Sequence, residues 1–185
     1  MTSWASNLQS LLSQVRSSNV IAILCHQNAD PDATCSAFAL QTLLKTLSAA
    51  ISTKIVCPEG VSSSTKQLLE NLGIATPDGI LPPGMDAAIL IDTNTPDQLG
   101  KIGEKILHGE IPIIVIDHHH PHPDTTKIAS LMIVDESAAA AAEVVYQLFR
   151  ASKTEPGMAE ARALEERLEN HDYYDPTPYE YDDEE

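Results

Sequence analysis

Three short stretches of this chain, "NVIAIL" (residues 19–24), "DAAILI" (86–91) and "IPIIVI" (111–116), are apolar at almost every position rather than at every second one. A strand with one wet face alternates polar and apolar residues, whereas a strand covered on both faces has no reason to. Runs of five or six such residues separated by longer segments of helical period indicate parallel strands joined by crossover helices. Helical period is read in "WASNLQSLLSQVRS", "CSAFALQTLLKTL", "SSTKQLLENLG", around "QLGKIGEKILHG", and in "SAAAAAEVVYQLF". "STKIVCP" adds a strand and "TKIASLMIVD" a further candidate. The expectation is an α/β fold, a doubly wound, mainly parallel sheet flanked by helices, with ligands bound beyond the carboxyl ends of the strands.

The 185 residues suffice for one domain with a real core. With only 4% aromatic residues, that core must rest on Val, Ile, Leu and Ala. No apolar run approaches the roughly 20 residues that span a bilayer, and no basic start precedes an apolar stretch, so a cytoplasmic protein without membrane contact is expected. Cys25, Cys35 and Cys57 are odd in number and lack CxxC spacing, which argues for reduced thiols over a disulfide framework or thiolate zinc. Of the net charge of −16, residues 155–185 carry −10, from 12 acidic and 2 basic side chains. So acidic a chain is a poor partner for duplex nucleic acid. The reading divides the chain into a domain over 1–152, a charged helix over 153–169 and an acidic, disordered tail over 170–185.

Each of the three apolar runs leads into acids and imidazoles. The first is followed by "CHQNADPDATCS", with His26, Asp30 and Asp32; the second ends at Asp92 in "LIDTN"; the third ends at Asp117, His118, His119 and His120, with His122 close behind. Taken singly, Asp30, Asp32 and Asp92 fit turn residues or helix caps equally well, and a His run fits an exposed loop. Together they place oxygen and imidazole donors without thiolate at one rim of the sheet, a set suited to Mn²⁺, Fe²⁺ or Zn²⁺.

The sequence resembles the DHH family of phosphoesterases. The family's H-x-x-x-D-x-D motif is matched by His26, Asp30 and Asp32, with Ser36 beyond; its strand-terminal Asp by Asp92; its Asp-His-His by Asp117, His118 and His119. The wording "HQNADPDATCSAFAL" is most similar to archaeal members related to oligoribonucleases and pAp phosphatases. The resemblance implies two Mn²⁺ ions, with Mg²⁺, Co²⁺ or Zn²⁺ as substitutes. His26, Asp30 and Asp92 would hold one, and Asp32, Asp92 and His118 the other, Asp92 bridging. It also implies a nucleophilic hydroxide held between the ions, catalytic roles for Asp92 and His119, contact of His119 with the substrate phosphate, and an orienting role for Asp117. The activity implied is hydrolysis of phosphodiester or phosphomonoester bonds in small nucleotidic substrates, such as short oligonucleotides or pAp-like molecules. Ser36 is expected to cap the following helix, and His120 and His122 to be loop residues.

Two departures qualify this. Cys35 stands where relatives commonly have Gly. The family's fourth motif, a Gly-Ile-x-x-Asp-Thr type segment, is absent, and at its chain distance stands "ENHDYYDPTP", with Asp172 or Asp175 as stand-ins. A second, substrate-binding domain is also expected to be lacking, leaving an open cleft that a second copy or a separate domain would complete. Two other functions therefore stay in view. One is a non-catalytic or truncated DHH domain that serves as a protein-interaction module; the other is a manganese-type inorganic pyrophosphatase.

Overall fold

The computed structural model describes residues 3–16, 18–108 and 110–154. Beyond its first two residues, the expected charged helix lies outside them, as do the acidic tail and both stand-ins, Asp172 and Asp175. The elements run α1 (Trp4–Val15), β1 (Val20–Leu24), α2 (Pro31–Leu47), β2 (Ser52–Val56), α3 (Ser63–Leu72), β3 (Ala87–Ile91), a 3-10 segment (Pro96–Ile102), α4 (Gly103–Leu107), β4 (Ile113–Asp117), α5 (Pro123–Ile128), β5 (Leu131–Val134) and α6 (Ala141–Ser152). All five strands are parallel, in the order β2-β1-β3-β4-β5. The fold is the expected α/β arrangement, and among the described residues no helix is long and apolar enough to cross a membrane.

Strand pleating explains why the apolar runs do not alternate. Ile21, Ile23, Ile89, Ile91, Ile114 and Ile116 enter one core, shared with Leu11 of α1, Leu40 and Leu44 of α2 and Val145, Leu148 and Phe149 of α6. Their neighbours Ala22, Leu24, Ala88, Leu90 and Val115 enter a second core on the opposite face, against Leu99 and Ile106. Both faces are dry, so polar residues have no place along these strands.

Three boundaries differ from the sequence reading. α2 starts at Pro31, four residues before Cys35, because Asp30 caps it: its Oδ1 accepts from the Ala33 amide at 3.0 Å, and proline suits the first helical position. Within "TKIASLMIVD" only Leu131–Val134 is strand; its first residues close the short helix α5. The alanine-rich helix begins at Ala141, and residues 138–140 form its approach.

The strand order places the topological switch between β1 and β3. From β1 the chain winds outward to β2, then returns across β1 to continue through β3, β4 and β5. Crevices at such a switch are where open parallel sheets bind ligands.

Candidate metal centre

Three consecutive strands in space, β1, β3 and β4, deliver their carboxyl ends to this crevice. His26 and Asp30 follow β1, Asp92 follows β3, and Asp117 closes β4 ahead of His118 and His119. Asp92 sits between the two outer groups. Its φ of +55° is left-handed, a conformation that Asp tolerates better than most residues, and its amide stays tied to the Ile116 carbonyl at 3.0 Å. The turn aims the carboxylate across the rim instead of along the strand.

Ligand atoms of His26, Asp30 and Asp92 lie within 4.8 Å of one another, and so do those of Asp92, Asp117, His118 and His119. Asp92 belongs to both groups. It is 4% exposed, and its Oδ1 is buried without a hydrogen-bond donor among the described residues. An orphaned carboxylate oxygen costs several kcal/mol unless a cation meets it. Facing it are His118 Nε2 at 3.3 Å and His119 Nδ1 at 3.6 Å.

The imidazoles are held so that each offers its other nitrogen to this centre. His118 Nδ1 lies 3.2 Å from the Ala138 carbonyl, and His26 Nδ1 lies 2.8 Å from the Gln27 carbonyl. A carbonyl only accepts, so Nδ1 carries a proton in both rings, and Nε2 is the nitrogen whose lone pair is available when the ring is neutral. His26 Nε2 then faces Asp30 Oδ1 at 3.8 Å, and His118 Nε2 faces Asp32 Oδ2 at 3.9 Å besides Asp92. Lone pairs turned toward carboxylates make sense around a proton or a metal ion, and the donor set fits a divalent ion.

The electrostatics agree. Burial pushes Asp92 up to about 6, with the Asp32, Asp30 and Asp117 carboxylates adding to the rise and His118 opposing it. The Asp30 carboxylate raises His26 to about 9 against the effect of its partial burial. His118 is likewise raised, chiefly by Asp92. Without an ion, protons are drawn into the positions a metal would neutralise.

Asp117 is a different kind of acid. Fully buried, it accepts from Asn94 Nδ2 at 2.5 Å, the His118 amide at 2.7 Å, the His119 amide at 3.2 Å and His119 Nδ1 at 2.8 Å. With its oxygens so engaged it orients the two histidines, although it lies within ligand distance of them. The His119 side chain remains 58% exposed, leaning on Asp117 and open to the crevice.

Asp32 is brought to the rim but stands outside both groups of converging ligand atoms. It is 2% exposed, and its oxygens accept from the Ala141 amide at 2.9 Å and the Ala142 amide at 3.1 Å. Ser36 is not a cap: it lies inside α2 with its Oγ 3.4 Å from Asp32 Oδ1. Cys35 adopts ordinary helical backbone within α2, so the glycine of relatives is not needed there for a left-handed turn. His120 is 86% exposed and meets Glu136 at 2.9 Å, while His122 caps α5.

Asn94 is the site residue that the sequence reading passed over. Buried at 2% exposure, it donates to Asp117, accepts from the His122 amide at 2.6 Å, and takes the Thr125 hydroxyl on its carbonyl at 2.5 Å. Its only local signal is membership of "TNTPD", which reads as a turn.

The chain is 29% identical over 130 residues to an uncharacterized protein of Methanocaldococcus jannaschii, covering 70% of this chain and 38% of that protein. Its fold is similar to that of an exopolyphosphatase-related protein of Bacteroides fragilis (14% identity, TM-score 0.65, 90% of this chain and 50% of the other). It is also similar to a proposed family II inorganic pyrophosphatase of Methanococcus jannaschii (21% identity, TM-score 0.59, 78% of this chain and 45% of the other). The chain thus spans half or less of the length of these proteins. The pattern of the DHH family, N-terminal domain, matches residues 20–170, which takes in all three ligand-bearing strand ends, and the chain belongs to the DHH family.

Proposed function

We propose that this chain hydrolyses phosphoester bonds in small nucleotidic substrates with two divalent ions, Mn²⁺ first among them. The observation that carries the reading is Asp92: buried, without a donor on Oδ1 among the described residues, and shared between two groups of converging ligand atoms. His26, Asp30 and Asp92 would hold one ion; Asp32, Asp92 and His118 would hold the other. Such ions, when bound, lower the pKa of water and neutralise phosphate charge. Around them, Asp117 would hold the histidines through the three hydrogen bonds it accepts from them, and exposed His119 would meet a phosphate oxygen. Burial of Asp32, Asp92 and Asp117 keeps water from competing for their charge. We assign the activity to the cytoplasm, on a small substrate and not on duplex nucleic acid, because the chain's charge of −16 repels a long polyanion.

The first test is hydrolysis of 5′-phosphorylated diadenylate by the purified chain with Mn²⁺, beside Asp92→Asn. Turnover abolished by the substitution supports the reading. A folded, Mn²⁺-loaded chain that releases no product would leave non-catalytic binding in the same crevice as the better account. Inorganic pyrophosphate belongs in the same assay, since the fold is similar to that of a proposed pyrophosphatase. Faster cleavage of pyrophosphate than of the dinucleotide would move the substrate class.

A further inference from the structure

The approach to α6 is a run of five alanines, residues 138–142. None of these side chains has chemistry to offer, yet three of their main-chain groups reach the metal centre. The Ala138 carbonyl takes the Nδ1 proton of His118 at 3.2 Å. The Ala141 and Ala142 amides, at the first two positions of α6, donate to the two oxygens of Asp32 at 2.9 and 3.1 Å. Residue 140, at the N-cap, makes no side-chain hydrogen bond; the capping carboxylate comes instead from Asp32, 109 residues earlier in the chain. The helix dipole favours a negative charge there.

From these contacts we infer that residues 138–142 are a main-chain clamp that positions the second ion's ligands, Asp32 and His118, and leaves the first ion's ligands His26 and Asp30 alone. The inference rests on the two-ion reading above. One continuous segment holds a carboxylate and an imidazole whose facing atoms are 3.9 Å apart. Displacing the segment moves both ligands together, so the two ion positions respond differently to a change made here. Glu143 steadies the clamp from within α6, its Oε2 accepting from the Ala139 amide at 3.1 Å.

Ala141→Pro tests this directly. Proline at the first helical position is well tolerated, and the preceding residue, with φ −157° and ψ 154°, already has the extended backbone that proline demands. The substitution deletes the hydrogen that reaches Asp32 Oδ2. Mn²⁺ binding to the full chain would be followed by calorimetry and by electron paramagnetic resonance. Wild type is expected to take up two ions. The variant should keep the first at unchanged affinity and bind the second at least about ten-fold more weakly. Two ions bound as tightly as in wild type, or both weakened alike, would overturn the clamp while leaving the two-ion reading in place. A wild-type chain that takes up no Mn²⁺ overturns both. Should Ala141→Pro not fold, amide hydrogen exchange in EDTA reads the same contact. The protons of Ala141 and Ala142 should exchange at least about ten-fold faster in Asp32→Ala than in wild type, and equal rates would refute the anchor.

Discussion

Asn94 Nδ2 lies 2.5 Å from Asp117 Oδ2, joining the loop after β3 to the end of β4 in a place without solvent. Because the Asn94 side chain also holds the His122 amide and its main-chain carbonyl takes the Thr125 hydroxyl, the DHH strand end and α5 are fixed relative to Asp92 by one residue. Asn94→Ala leaves an oxygen of a buried carboxylate without its donor, at a cost of about 2 kcal/mol. The melting midpoint in EDTA should drop by roughly 4–8 °C. An unchanged midpoint would show that the loop reorganises and that the bond carries no strength.

Asp92 trades stability for charge. An acid raised to about 6 in the fold carries little penalty at about pH 4, where it is protonated in the fold and only partly ionised in the unfolded chain. The penalty grows as pH rises to 6 and is complete above. Asp92→Asn keeps a residue that tolerates the left-handed backbone and removes the charge. In EDTA at pH 7.5 it should stabilise the chain by about 1–2 kcal/mol, and at pH 4 most of the gain should be gone. Addition of Mn²⁺ should raise the melting midpoint of wild type but not of the variant. Denaturant melts at the two pH values decide the matter.

Asp30 does two jobs with one carboxylate, capping α2 at 3.0 Å and facing His26 at 3.8 Å. Serine can do the first and not the second. Asp30→Ser is therefore expected to melt near wild type in EDTA at pH 9.5, where His26 is largely neutral and its pairing with Asp30 no longer counts, and to lose most of its Mn²⁺-induced stabilisation. Asp30→Ala should lose that and a further ~1 kcal/mol from the missing cap. Equal stability of the two variants in EDTA would deny Asp30 its capping role.

His26 gives the metal-free chain a second pH dependence. Its pKa is raised to about 9, so the stability it contributes is complete below its ordinary value near 6.5 and is lost as pH climbs through 9. In EDTA the midpoint of unfolding should fall between pH 6.5 and 9.5, and His26→Gln should flatten that fall. With Mn²⁺ present the decline should reverse, since the ion needs the deprotonated ring. A wild-type midpoint in EDTA that stays level over this range would contradict the coupling of His26 to Asp30.

The sheet was legible because burial on both faces leaves a local mark: five-residue apolar runs need no knowledge of the rest of the chain. The clustering of acids at the rim was legible for a similar reason, since Asp92 and Asp117 sit at fixed places relative to those runs. What escaped was made by contacts between distant residues. α2 begins at Pro31 through an aspartate that reads equally as turn or cap. The alanine-rich helix begins three residues after the first of its five alanines, held by a carboxylate 109 residues away, which helix propensity cannot register. α5 has six residues, too few for a period to show. Asn94 looks like any turn residue until the end of β4 is placed beside it.

The five-alanine approach to α6 has a consequence for how this centre can be mapped. Scanning mutagenesis finds function by trimming side chains to a methyl group, and here there is nothing left to trim. A survey of the chain by that method would test His26, Asp30, Asp32, Asp92 and the DHH residues, and would pass over residues 138–142 in silence. Any residue small enough to let the backbone follow its present course would serve there. What the segment contributes is written in peptide groups, and only replacements that alter the main chain, proline for an amide or an ester for a peptide link, can make it speak.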